Sequence, residues 1–150
     1  MANQNISTLW IMLSTCCRVS EISQARWVDV DLRAGKWRIP PENAKNAKEH
    51  TIYLSPFAIE HFETLRGLSE ESSWVLPARH TNSHICLKSL AKQIGDRQRR
   101  DKLPMKGRSV NTNSLVLPGG KWTPHDLRRT GATMMGSLGV RPDVIEKCLN

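Results

Sequence analysis

Trp122-Thr123-Pro124-His125-Asp126-Leu127-Arg128-Arg129-Thr130-Gly131-Ala132-Thr133 is the stretch on which the fold turns. Thr123 followed by Pro124 is a helix start: a hydroxyl cap, then proline at the first helical position, where its missing N–H costs nothing. The helix is predicted to run through Leu138, with Gly139 as its stop. His125 and Arg128 then share one face, although that spacing alone also fits an ordinary helix surface, with Asp126 near the positive end of the dipole. A second segment, Cys17-Arg18-Val19-Ser20-Glu21, lies more than a hundred residues upstream and supplies another arginine and a carboxylate. Ser20 is predicted to cap a short helix, which leaves Arg18 in the turn before it. Two guanidinium forks match phosphate oxygens bidentately, and a nearby histidine can move a proton. Together they have the equipment to stabilise phosphoryl transfer without a metal.

The totals suit a polyanionic partner. A chain of 150 residues is one domain by prior and buries roughly two thirds of its unfolded surface. Hydrophobic residues make up 39%, and 22 basic against 14 acidic residues give a net charge of +8. Net charge alone also fits a merely soluble basic chain. Its distribution is more informative: Lys88, Lys92, Arg97, Arg99, Arg100, Lys102, Lys106 and Arg108 stand against only Asp96 and Asp101, so this segment carries +6 of the +8. A solvated helix face would mix signs. The four cysteines contain no C-x-x-C, and with no secretory segment the chain is expected to be reduced and intracellular. No apolar run approaches a membrane span, so no membrane partner is expected.

The rest of the pattern is helical with a small sheet. Ile6, Leu9, Trp10 and Leu13 fall at i, i+3, i+4, i+7 and predict a first helix with that stripe buried. Strands are predicted at 28–32, 36–39 and 51–54, the first two joined by Arg33-Ala34-Gly35 and the last two by a polar turn from Pro41 to Glu49. Ser55-Pro56 opens another helix, which carries Ile59, Phe62 and Leu65. Residues 83–95 predict a helix, 96–120 a long basic loop of the kind usually functional, and Pro142 starts a last helix. The fold class is α+β, mainly α, with a three-stranded antiparallel sheet.

Three segments in order carry a family resemblance. Thr15-Cys16-Cys17-Arg18-Val19-Ser20-Glu21-Ile22 with Ala25 to Leu32 resembles box I of the tyrosine recombinases, the phage and genomic-island integrases. Trp122 to Thr133 resembles their box II almost residue for residue. Asn43-Ala44-Lys45 through His50-Thr51-Ile52-Tyr53-Leu54-Ser55 resembles the hairpin that holds their catalytic lysine. The resemblance covers nearly the whole chain, least of all the basic loop. It implies that Arg18 and Arg128 clamp the scissile phosphate, and that His125 hydrogen-bonds it and assists proton transfer. Lys45 would protonate the leaving 5′-oxygen, with Lys48 as its rival, and Glu21 would hold Arg18 from behind. Lys88, Lys92, Arg97, Arg99, Arg100, Lys102, Lys106 and Arg108 become DNA-binding candidates. No metal or other cofactor is implied. The implied partners are double-stranded DNA at attachment sites and other recombinase protomers, in the bacterial cytoplasm at the nucleoid.

The departures shape the expectation for the chain itself. Cys16 and Cys17 stand where the family commonly has a glycine, and they read as buried structural thiols. His80, His84 and Cys86 have metal-like types, but three ligands in one loop read as chance. Tyr53, the only tyrosine, falls on a strand and reads as packing. In the family, a pair such as Leu149-Asn150 precedes a histidine or tryptophan and then the nucleophilic tyrosine. Residues 1–150 are therefore expected to be an integrase catalytic domain, incomplete at its C-terminal end and without N-terminal DNA-binding domains. Alone, it is expected to be inactive, with faces around Leu138, Val144, Ile145 and Leu149 uncovered. A truncated non-catalytic DNA-binding or recombinase-partner protein, a type IB topoisomerase-like domain, and a helical nucleic-acid-binding domain with accidental motifs remain the alternatives.

Overall fold

In a computed structural model, which describes residues 2–80, 82–100 and 102–149, nine regular elements follow one another. They are α1 (Ala2–Thr15), α2 (Val19–Ser23), β1 (Val30–Asp31), β2 (Lys36–Ile39), β3 (His50–Tyr53), α3 (Pro56–Ser69), α4 (Leu87–Asp96), α5 (Pro124–Ser137) and α6 (Pro142–Leu149). Short 3-10 turns cover Trp27–Asp29 and Pro41–Asn43. Asp101 and Asn150, counted above in the basic segment and the closing Leu-Asn pair, lie outside the described residues. The class is the expected one, helical with a three-stranded antiparallel sheet in the order β1-β2-β3. Val30 pairs with Trp37, and Ile39 with His50.

Alternation along β2 sends Trp37 and Ile39 into the core and Lys36 and Arg38 to solvent. Trp37 meets the edge of Phe62 at 5.5 Å, and Ile11, Met12, Ile22, Leu65, Val75, Leu76 and Ile94 complete a fully buried centre. Ser55 caps α3 by accepting from the Ala58 N–H at 3.2 Å, with Pro56 behind it, as the sequence predicts. No described helix is long and apolar enough to cross a membrane.

Helix α1 is turned from its expected orientation. It buries Ser7, Thr8, Ile11, Met12 and Thr15, while Ile6 and Trp10 are exposed. The reason is size together with local hydrogen bonding. Thr8 donates its hydroxyl to the Gln4 carbonyl at 2.7 Å, and Thr15 to that of Ile11 at 2.6 Å. Hydroxyls satisfied by their own helix bury at little cost and let α3 and α5 approach closely. Trp10 instead lies over α3, edge-on to Phe57 at 5.6 Å.

Other boundaries move. The strand expected at 28–32 shrinks to Val30–Asp31, because a 3-10 turn takes up Trp27–Asp29 and leaves Val28 outside. The helix expected from Ser83 starts at Leu87, since Pro77 and His84 form an antiparallel bridge first. Tyr53 does not pack into the interior: it is 75% exposed, with the Lys36 ammonium 5.7 Å above its ring.

Candidate functional site

The end of α1 sets the first arginine. Cys16 takes a left-handed backbone, φ +55°, the conformation that favours glycine, and ends the helix abruptly. The chain then enters α2 with Arg18, rather than Ser20, at the N-cap. Glu21 is why. Its buried carboxylate accepts the Arg18 backbone N–H at 2.6 Å through Oε2 and pairs with Arg18 Nη1 at 2.8 Å through Oε1. A side chain longer than serine thus satisfies the helix end and holds the guanidinium at once.

The second arginine arrives from α5. Thr123 and Asp126 close a capping box, the Asp126 Oδ2 accepting the Thr123 N–H and hydroxyl, each at 2.8 Å. Those bonds, the backbone one foremost, hold the Asp126 carboxyl below the usual carboxylate range. Asp126 therefore serves its helix, while His125 beside it is exposed. Gly131, one turn beyond Arg128, lies hard against the end of α1: a Cβ there would stand 2.4 Å from Cys16 Sγ and 2.9 Å from the Leu13 carbonyl. That close approach lets Arg128 Nη1 donate to the Cys16 carbonyl at 2.5 Å, while Nη2 donates to the carbonyl of Leu149.

The two arginines lie near enough for the charge of one to act on the other. Burial, and next the charge of Arg18, hold the Arg128 guanidinium below the ordinary arginine value, with Glu21 opposing. A fourth group shares this environment. Burial pushes the His50 imidazole below the ordinary histidine value; Glu21 draws it up, and Arg128 and Arg18 press it further down. His50 was not singled out from sequence, where a histidine opening a strand looks like any alternating polar residue. Its only signal was its place at the return of the lysine-bearing turn.

That turn is tied to the same corner. Asn43 Nδ2 donates to the carbonyl of Gln24, the residue closing α2, at 3.3 Å. Arg38 grips the far side through Glu49 at 2.8 Å. Between these ties Ala44 is buried, and Lys45 and Lys48 are both exposed.

The basic candidates divide. Lys88, Lys92, Arg100, Lys102 and Lys106 are exposed. Arg97, Arg99 and Arg108 are half-buried and engaged: Arg97 with Gln93 Oε1 at 2.5 Å, Arg99 with the Leu103 carbonyl at 3.2 Å, and Arg108 with the buried Asp96 carboxylate at 2.9 Å. Cys16 and Cys17 are buried; burial pushes the Cys17 thiol up to about 12, so it stays protonated and inert. His84 Nδ1 lies 2.7 Å from the carbonyl of Ile85, and among the described residues no three His, Cys, Asp or Glu side chains could hold a metal together. Leu138 and Val144 are exposed, while Ile145 and Leu149 are half-buried.

Comparison with known proteins bears on the family and the fold. Residues 2–150 match the sequence model of the phage integrase family. The chain is 30% identical over 142 residues to the prophage integrase IntA of Escherichia coli (strain K12), an alignment covering 94% of this chain and 30% of that protein. Its fold is similar to the crystal structure of XerA recombinase, with a TM-score of 0.76 at 16% identity over 98% of this chain and 48% of that one. It is also similar to the Tn1549 transposon integrase in complex with transposon right end DNA, with a TM-score of 0.67 at 12% identity over 95% of this chain and 49% of that one. The chain thus spans under a third of its curated relative and about half of these structures.

Proposed function

Since the chain belongs to the phage integrase family, we propose that residues 1–150 are the catalytic domain of a site-specific DNA recombinase. Its intact form would cleave and rejoin double-stranded DNA at attachment sites, with other protomers, in the bacterial cytoplasm. In the proposed reaction a tyrosine oxygen attacks the scissile phosphorus, the bond to the 5′-oxygen breaks, and a 3′-phosphotyrosine holds the energy of the broken bond for rejoining.

One observation supports this reading above the rest: Arg18 and Arg128, 110 positions apart, converge beside a buried carboxylate that neutralises only one of them. Two guanidinium groups within reach of each other's charge suit an anion with several oxygens. Arg128 already grips two carbonyl oxygens, and a phosphate oxygen is a stronger acceptor than the Leu149 carbonyl. In this reading the arginines stabilise charge on the non-bridging oxygens and His125 moves the nucleophile's proton. Lys45 donates one to the leaving oxygen. Glu21 holds Arg18 in line.

Tyr53 is not the nucleophile in this reading. It sits three residues along β3 from His50, about 10 Å away, and alternation sends it to the opposite face from His50 and Ile52.

A duplex titration followed by tryptophan fluorescence tests binding. With four to six phosphates neutralised, log K should fall against log salt with a slope of about −4 to −5; a slope near zero would remove DNA from the reading. A suicide substrate should give no covalent adduct with this chain alone, and an adduct lost in Tyr53→Phe would reassign the nucleophile. In the intact parent, Lys45→Ala should be rescued by a 5′-thio leaving group, which needs no proton. Rescue of Lys48→Ala in its place would move the general acid.

A further inference from the structure

The capping box of Thr123 and Asp126 starts α5, but it is local to that helix and cannot say where the helix points. The chain enters α5 from a loop of some 25 residues, long enough to leave the entry free unless something pins it. Gln98 does so from the opposite end of that loop. It leaves α4 through one turn and is 5% exposed. Its Oε1 accepts the Trp122 backbone N–H at 2.9 Å, and its Nε2 donates to the Trp122 carbonyl at 2.8 Å. One primary amide thus engages both backbone groups of one residue, as a neighbouring strand would. Trp122 is the residue before the N-cap Thr123; His125 is three further on and Arg128 six.

We propose that Gln98 is a positioning residue, fixing the entry of α5, and with it His125 and Arg128, against the neck of the basic loop. This rests on the reading of His125 and Arg128 as phosphate-facing groups.

The neck is closed by more than the bracket. Leu115 donates its N–H to the Arg97 carbonyl at 3.1 Å, and the Trp122 indole N–H donates to the Leu115 carbonyl at 2.9 Å. Further out, Arg100 N–H donates to the Thr112 carbonyl, and the Thr112 hydroxyl returns to the Arg100 carbonyl, each at 2.8 Å. Beyond this rung hangs a tip bearing the exposed Lys102 and Lys106. Arg97 and Arg108 tie the loop back to Gln93 and Asp96 of α4, while the two bonds from Gln98 hold the backbone at the threshold of α5. At the other side the helix is held by Gly131 and Arg128 against α1. The site end of α5 lies between these two fixings, with Leu127 packed on the core.

The amide itself is required. Glutamate keeps the acceptor for Trp122 N–H but loses the donor, leaving the Trp122 carbonyl facing a buried charge. Methionine fills the same volume and makes neither bond. Most of the exposed charge of the basic segment lies elsewhere, on Lys88, Lys92, Arg100, Lys102 and Lys106, so losing the bracket should leave overall DNA affinity in place.

Isotope-labelled chain titrated with a short DNA duplex tests the proposal, read by the imidazole nitrogens of His125, the Arg128 Nε–H signal and fluorescence polarisation. In the wild-type chain the duplex should shift both signals; if it shifts neither, the reading of the site fails whatever Gln98 does. If it shifts them, Gln98→Met should keep DNA affinity and native signal dispersion while the His125 and Arg128 responses fall away. Gln98→Met with full wild-type responses at both residues overturns the proposal. So does a variant in which affinity and responses decline in parallel, since that marks general damage. Should Gln98→Met fail to fold, Gln98→Glu takes its place under the same criteria.

Discussion

Replacing Gly131 with alanine should loosen the junction on which the site depends. The added methyl would lie 2.4 Å from Cys16 Sγ and 2.9 Å from the Leu13 carbonyl. A thiol can swing away, but a helix carbonyl cannot, so α5 must back off from α1. Overpacking of this kind costs about 1–3 kcal/mol. Backing off also strains the 2.5 Å bond from Arg128 to the Cys16 carbonyl one turn away, and hydrogen bonds to charged groups are worth about 1.5–3 kcal/mol. Against this, alanine in a helix is favoured over glycine by about 1 kcal/mol. These terms span about 1.5–5 kcal/mol, and with the bond strained but not broken the loss falls in the lower part, about 2–3 kcal/mol. With a urea m-value of about 2 kcal/mol/M, the midpoint should fall by about 1–1.5 M at unchanged m. Cys16→Gly in the same background removes the sulfur contact and relieves the left-handed residue, yet leaves the Leu13 carbonyl in place. It should therefore recover only part of the loss, a non-additivity that marks direct contact. A Gly131→Ala midpoint at or above wild type would refute the argument, since helix propensity would then outweigh the junction.

Glu21→Gln should cost about 2 kcal/mol in the same assay, because a buried bond to a charged partner is lost and the arginines are left to repel; an unchanged midpoint would mean that Arg18 is held by other means. His50 gives a pH signature. Its folded pKa lies below the ordinary 6.5, so its stabilising contribution is complete above about 6.5 and is lost as pH falls from there through the lower folded value. His50→Gln should flatten that part of the stability–pH curve, and a curve superimposable on wild type would exclude His50 as its source. Lys102→Ala and Lys106→Ala should each lower the magnitude of the DNA salt slope by about 1 at most, whereas Arg108→Met should disturb the loop itself by stranding the buried Asp96; equal slopes in all three would count against the division into exposed and engaged cations.

Local chemistry was legible in the sequence, and contacts across the fold were not. Thr123-Pro124 and Ser55-Pro56 announced their helices because caps act within one turn. Strand β2 was readable from the alternation of Lys36, Trp37, Arg38 and Ile39, since one face must be buried. The orientation of α1 was not readable. A hydrophobicity pattern ranks Ile6 and Trp10 above Ser7 and Thr8, yet the Thr8 hydroxyl is satisfied inside the helix, that of Ser7 meets His61 of α3, and their small size decides what packs. The engagement of Arg97 and Arg108 was likewise hidden, because it depends on where Gln93 and Asp96 point once α4 has formed. The candidate site was legible in its arginines and Glu21, whose motifs are contiguous. His50 and Gln98 were not, because each acts on groups distant in sequence.

The junction also explains why cysteine can stand at position 16. A left-handed residue at a helix end is ordinarily glycine, and a side chain there costs about 1–2 kcal/mol. Here the thiol lies against the open side of Gly131, so the space that a side chain on α5 would have taken is filled from α1 instead. The pairing of Cys16 with Gly131 gives a helix end sharp enough to bring Arg18 round to Glu21, and a Cys16 carbonyl that receives Arg128. Burial and Arg128 act oppositely on the Cys16 thiol, and burial prevails, raising it above its ordinary value. The sulfur therefore stays neutral and leaves the surplus positive charge of the two arginines uncancelled. An anion entering this corner meets that charge at full strength.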